Sequence, residues 1–260
     1  MDSRLVVLLV ITVAASGCGQ KSQGTGVKIQ SLSASDTSLN PGQEFSVEAQ
    51  IVNYNQAPTT VKAGNIRLYN LGQLKKVSGS KGCNPDSIGA SKENFNPRMV
   101  CTWVLKAPGK QFVKGFKSKP LSFKMGLEYS STLENREPLK IDFQKMSKIS
   151  QSNEIKRTFS NGDITATVTA QTPVALGNPQ NLEIKVKNTG PGYVVGKYRV
   201  DFSHENLVNC PSKGNRKPIQ GTARLSCTLN ADSAGSRNLF ISISYKYEKT
   251  PNVDIKVVNN

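Results

Sequence analysis

Apolar and polar positions alternate along most of the chain in short segments with a period of two, the pattern of strands that bury one face. Val27, Ile29 and Leu32 begin it, and after a turn at Asn40-Pro41-Gly42 come Phe45, Val47, Ala49 and Ile51. Further segments read as strands at 66–69, 101–105, 121–129 and 139–143, and in the longest Leu121, Phe123, Met125, Leu127 and Tyr129 share the inward face. Alternation lapses over 145–158 and then returns. Ile164, Ala166, Val168 and Ala170 come first, then Leu182, Ile184 and Val186, then Tyr198, Val200 and Phe202. Residues 225–229 follow, then Leu239, Ile241, Ile243, Tyr245 and Tyr247, and last Val253, Ile255 and Val257. Clusters of Gly, Pro and Asn separate the segments, so the expected class is all-β, built as antiparallel sandwiches.

The order of turns and strands occurs twice. Cys83-Asn84-Pro85 followed by Cys101-Thr102-Trp103 is matched by Cys210-Pro211 followed by Cys227-Thr228-Leu229, so the cysteines lie 18 apart in one copy and 17 in the other. Two units are therefore expected, 27–145 and 161–260, joined by a linker at 146–160. The repeated spacing suggests a disulfide in each unit, Cys83 with Cys101 and Cys210 with Cys227, although four cysteines allow three connectivities. A bridge closing a loop of this length is worth about 3 kcal/mol by chain entropy. Trp103 is expected to pack in the core beside its bridge.

The fifth cysteine, Cys18, stands apart. Arg4 and an apolar run over 5–15 precede Ala15-Ser16-Gly17-Cys18, a run too short to span a bilayer as a helix and suited to the core of a secretory signal. Small residues directly before a cysteine resemble the lipobox of prokaryotic lipoproteins. That resemblance implies a signal peptide over 1–18, lipidation of Cys18, a flexible tether over 19–26 and an exported, membrane-anchored protein. It leaves an even number of cysteines for an oxidising compartment.

The turn at Asn40-Pro41-Gly42 with the strand ending at Val52, and Leu182 to Asn188 followed by Thr189-Gly190, resemble the start of immunoglobulin-like modules of the cell-adhesion-related type. The resemblance implies two tandem immunoglobulin-like β-sandwiches on a cell surface. The cysteine spacing is narrower than that of antibody domains, which fits a bridge from a loop to a nearby strand.

Charge adds a second theme. The chain carries 34 Lys and Arg against 18 Asp and Glu, a formal net charge of +16, and such a field attracts polyanions without choosing among them. Between Ala49 and Leu127 the only acids are Asp86 and Glu93. The densest part is a strip of Lys106, Lys110, Lys114, Lys117, Lys119 and Lys124 interleaved with Phe112 and Phe116. Such a strip can grip a phosphate-rich chain, lie on an anionic bilayer, or guard a sheet edge from aggregation. Lys213, Arg216, Lys217 and Arg224 form a weaker cluster in the second cysteine loop.

Catalytic chemistry finds little support. The single histidine, His204, excludes a metal site built on two imidazoles, and the segment 230–232 has too few acids for calcium. No nucleophile elbow, phosphate-binding loop or dinucleotide fingerprint occurs. The expectation is a non-enzymatic binding or structural module without cofactor or metal, lipid-anchored in a prokaryotic envelope. Its expected partners are other envelope proteins or an acidic surface polymer. The alternative is a polyanion or nucleic-acid receptor using the basic strip.

Overall fold

The computed structural model describes residues 26–77, 82–211 and 221–259. Cys18 and the signal-like segment lie outside the described residues, as do Lys213, Arg216 and Lys217. The first half of the chain forms β1 (Val27–Ala34), β2 (Ser38–Leu39), β3 (Glu44–Asn53), β4 (Thr59–Lys62), β5 (Ile66–Tyr69) and β6 (Lys75–Lys76). It continues with β7 (Gly82–Asn84), β8 (Ser87–Ile88), β9 (Arg98–Lys106), β10 (Ser118–Glu134) and β11 (Leu139–Gln144). The second half forms β12 (Asn153–Ser160), β13 (Ile164–Thr172), β14 (Val174–Ala175), β15 (Gln180–Asn188) and β16 (Tyr193–Phe202). It ends with β17 (Val208–Asn209), β18 (Thr222–Leu229), β19 (Gly235–Leu239), β20 (Ile241–Lys249) and β21 (Asn252–Val258).

The fold is all-β, and the alternation in sequence becomes alternation in burial. Phe45, Val47, Ala49 and Ile51 of β3 are buried, and so are Cys101, Trp103 and Leu105 of β9, paired with them in antiparallel register. Asn40-Pro41-Gly42-Gln43 closes as a turn in which Gln43 N–H donates to the Asn40 carbonyl at 3.0 Å. Gly42 there has φ +77°, and Pro then Gly at the two central positions is the signature that this turn demands. In the second unit Leu182, Ile184 and Val186 of β15 are buried between β13 and β18.

Each unit is a sandwich of two sheets in the immunoglobulin-like manner, and each takes its last strand from the other. In the first, β1, β3 and β9 with β6 and β7 form one sheet. The opposite sheet carries β2, β10, β5, β4 and β8, but the strand lying between β2 and β10 is β21, from the end of the chain. In the second, β12, β13, β15, β18 and β17 face a layer in which β11 lies between β14 and β19. The exchange is reciprocal down to the pairing sense. β21 runs parallel to β2 and antiparallel to β10, while β11 runs parallel to β14 and antiparallel to β19.

One ladder holds this arrangement together. Ser118 lies opposite Val258, Lys124 opposite Asn252, Leu127 opposite Lys249 and Glu134 opposite Ser242, all in one register that passes Thr250-Pro251 unshifted. Within it Tyr129 faces Tyr247. These are the last inward residues of the two corresponding five-residue series read from the sequence, so the copies meet head-on about a pseudo-twofold. The apolar cluster accordingly runs through both units without a break.

Each disulfide lies between adjacent segments of one sheet, the second from just past the end of β17 to β18. Cys83 pairs directly with Cys101, with Cα atoms 4.0 Å apart, and Cys210 is bonded to Cys227 with Cα atoms 4.3 Å apart, each fold unit holding its own bridge.

Strand β12 occupies most of what reads in the sequence as a linker over 146–160. It pairs along its whole length with β13, from Asn153 opposite Thr172 to Ser160 opposite Thr165. As an edge strand with only Ile155 and Phe159 half-buried, it has no buried face to impose a period of two. Strand pairing also crosses the boundary placed at 145, since β11 and β21 have changed partners.

The exchange makes the units interdependent. Fragments 27–145 and 146–260, each lacking one inserted strand, are expected to give poorly dispersed NMR spectra alone and to recover dispersion when mixed. A well-dispersed spectrum from 27–145 alone would show that β21 is dispensable. Replacing Cys83 and Cys101 together with Ala is expected to lower stability in urea by about 3 kcal/mol without altering the pairing of strands.

Candidate functional site

Where the copies meet, the inner face of the β10–β20 ladder is polar. Tyr129 and Tyr245 reach the turn that starts the second unit, Asn161-Gly162-Asp163, Tyr247 reaches Asn188 and Gly192, and Ser131 hydrogen-bonds with Asn55 and Thr59. Asn161 shapes this turn by accepting the N–H groups of Asp163 and Ile164 on its side-chain oxygen, each at 3.3 Å. Its amide nitrogen donates to the Tyr245 hydroxyl at 2.6 Å and to the Thr132 carbonyl at 3.3 Å. The Tyr129 hydroxyl donates to Asp163 Oδ2 at 2.6 Å, and that of Tyr247 to Asn188 Oδ1 at 2.8 Å.

Lys249 lies at the centre. Its Nζ is 3.0 Å from Asp163 Oδ1, donates to the Val27 carbonyl, and sits 5.7 Å from the ring centroids of both Tyr129 and Tyr247. The side chains of this ion pair are 10% and 1% exposed, so neither charge has water to fall back on. Burial raises the pKa of the Asp163 carboxyl, and the Lys249 charge only partly offsets it. Burial, reinforced by the Asp163 charge, also pushes the Tyr129 phenol well up, and the Tyr247 phenol reaches about 12, mainly through burial.

Close packing completes this waist. A Cβ on Gly192 would overlap the Glu248 carbonyl oxygen and come within 2.6 Å of the Tyr247 ring, and one on Gly26 would lie 2.7 Å from the Asn161 carbonyl. A second polar cluster lies alongside. Asn55 donates to Thr59 Oγ1 at 2.7 Å, Ser131 Oγ at 2.8 Å and the Thr132 carbonyl at 3.3 Å, tying the first unit's loop to the ladder.

The other face of the ladder is open. Glu128, Ser130 and Thr132 of β10 lie beside Ser244 and Lys246 of β20 and form the floor of a cleft of about 810 Å³. Pro58, Thr59 and Thr60 make one wall. The other is Val195-Gly196-Lys197, where β16 shifts register against β20 and Gly196 takes φ +72°. Lys246 and Glu128 are 3.8 Å apart on the floor, and the Thr132 and Ser244 hydroxyls are 3.4 Å apart. The cleft thus offers hydroxyls and a charge pair to a polar ligand, from strands of both units.

The residues singled out in sequence lie elsewhere. Lys106 ends β9, Lys110 begins a short 3₁₀ turn (Lys110–Val113), and Lys114, Phe116 and Lys117 follow it before β10. All occupy the end of the first unit farthest from the waist. Phe116 is exposed and Phe112 half-buried, while Val113 fills the core beneath them. Lys119 lies over both rings, 5.1 Å from the Phe112 centroid and 4.3 Å from that of Phe116, so the aromatics hold a lysine of their own strip. Lys124 is separate, inside the β10 ladder opposite Asn252 and Tyr69. Trp103 is buried, and His204 is exposed immediately before a 3₁₀ turn (Glu205–Leu207). Among the described residues no three His, Cys, Asp or Glu side chains gather as metal ligands.

The waist was not legible as a site. Asn161-Gly162-Asp163 reads as an ordinary turn, and Lys249 sits in Glu-Lys-Thr-Pro, which reads as the end of a strand. Only the two Tyr-terminated series of equal length hinted that the copies converge there.

No family model and no curated protein matches the chain. Among solved structures, it is similar to the Enterococcus faecalis MSCRAMM ACE, described as binding its ligands by the collagen Hug model. The identity is 7%, the match covers 89% of this chain and 95% of that one, and the TM-score is 0.19. The collagen adhesin CNA from S. aureus is 9% identical over 91% and 93% of the two chains, with a TM-score of 0.18. At such scores neither likeness bears on what this chain binds.

Removing one partner of the buried pair, as in Lys249→Met, is expected to destabilise the protein by about 3–5 kcal/mol, because the other charge stays buried. Lys249→Met with Asp163→Leu should recover much of that loss in urea denaturation. The pH dependence has a defined sign. The folded Asp163 pKa lies above the unfolded value, so its stabilising contribution is full below the unfolded carboxylate pKa and is lost as pH rises through the folded value. The stability of wild type minus Asp163→Asn should therefore fall as pH increases across that range.

Proposed function

We propose that the protein is an exported, lipid-anchored binding module of a prokaryotic envelope, non-catalytic, that engages another envelope protein or an acidic surface polymer. The observation that carries this reading is the cleft on the β10–β20 ladder. It draws its walls and floor from both units, over a waist whose buried ion pair and close-packed glycines prevent the units from shifting independently. A preformed polar surface on a rigid support lowers the ordering cost of association, which favours a recognition role. Two structural disulfides favour an oxidising, extracytoplasmic setting. With four cysteines so engaged, Cys18 is left for the anchor that its small-residue context suggests.

Lysine-directed cross-linking on intact cells tests the reading, with mass spectrometry of the linked peptides. Links from Lys197 and Lys246 at the cleft to a second surface component are expected. Ser130→Arg with Ser244→Arg, which fills the floor from its open face, should remove those links while the melting temperature stays within a few degrees of wild type. Persistence of the links would move the partner off the cleft. Cys18→Ser is expected to shift the protein from the membrane fraction to the soluble one.

A further inference from the structure

The end of the first unit farthest from the waist gathers more positive charge than the lysine strip alone. Short strand β6 pairs with the end of β9 and places Lys75 directly opposite Lys106. Like charges opposed across a ladder are unfavourable, and among the described residues one carboxylate answers them: Glu44, 3.8 Å from Lys106. Residues 107–117 connect β9 to β10 at this same end, so exposed Lys110, Lys114 and Lys117 share one connection with Phe116, which is 54% exposed and has Lys119 over its ring at 4.3 Å. An exposed apolar ring among lysines is the composition of a surface that lies against anionic headgroups.

The tether supplies the geometric argument for a bilayer as the occupant. β1 begins at the waist, where Val27 meets Lys249, and runs toward the basic end beside β3. From Asn53, opposite Val27, to Glu44, opposite Lys106, is nine residues. From Val27 back to Cys18 is also nine residues. At about 3.4 Å per residue both stretches span about 31 Å. Nine residues that turn back at Val27 span at most that distance, so the anchor and the basic end lie within reach of one plane.

We propose that Lys75, Lys106, Lys110, Lys114, Lys117 and Phe116 form a second membrane contact that seats the first unit on an anionic bilayer and points the second unit outward. The proposal rests on the lipid-anchored reading for its orientation, but the contact itself is measurable without the lipid.

The test uses the chain from Gly19, which retains every described residue and carries no lipid, with vesicles of phosphatidylglycerol and phosphatidylcholine or of phosphatidylcholine alone. Sedimentation with the anionic vesicles only is expected. Each lysine near such a surface is worth about fivefold in binding, so Lys110, Lys114 and Lys117 all changed to Gln should weaken it by about 100-fold. Phe116→Trp gives a local reporter beside buried Trp103, and its emission should shift to the blue on anionic vesicles as the ring leaves water. Failure to sediment with phosphatidylglycerol overturns the proposal. So does binding in which the Phe116→Trp variant keeps its emission unshifted and inorganic polyphosphate displaces the vesicles, the behaviour of a site for soluble polyanions. A soluble Cys18→Ser protein in cells bears on the anchor alone, so the two readings fail separately.

Discussion

The antiparallel ladder between β10 and the continuous run of β20 and β21 is the constraint on which everything else depends. A single register over that length places three things at once. It inserts β21 into the first unit's sheet, sets Tyr129 against Tyr247 at the pseudo-twofold, and delivers Lys249 to Asp163. A shift by one residue would turn every side chain to the wrong face, so the buried polar groups and the apolar alternation enforce the same answer. The ion pair adds specificity more than raw stability. A lysine buried under two tyrosine rings tolerates only the register in which its carboxylate and carbonyl partners are present.

Most of the fold was legible in the sequence because most strands bury one face. β3, β9, β10, β13, β15, β20 and β21 all show their period, and the repeated spacing suggested both disulfides. Strands of two or three residues, such as β2, β6 and β14, are too short to carry a period, and β12 is an edge with no buried side. The exchange of β11 and β21 was illegible for a different reason. Alternation says which face of a strand is covered but not which strand lies beside it, and two similar copies offer each last strand two equivalent places. The same limit hid the waist, where Asn161, Asp163 and Lys249 acquire their role only once the copies are set face to face. The basic strip was visible as composition, yet its extension to Lys75 depends on a β6–β9 pairing that no local pattern announces.

Charge and apolar burial divide the molecule between them. The waist surrounds its lysine with a carboxylate, a carbonyl and two ring faces, whereas the far end of the first unit leaves most of its lysines to solvent near an exposed phenylalanine. That contrast is informative because lysine can be satisfied in this fold when structure requires it. The cleft is a third environment, with hydroxyls and a single surface ion pair worth at most about 1 kcal/mol, weak enough to be rearranged by a ligand.

The position of β21 between β2 and β10 also sets a schedule. Leu39 cannot find Val257 until more than two hundred intervening residues have been made, and the first unit's sheet stays open at that slot until then. Long-range pairings of this kind form late, after the loops that separate them have closed. Under the exported reading proposed above, this delay would hold that slot of the leading unit open until the trailing half had followed it. Completion of the last strand is then the step that closes the first unit's sheet.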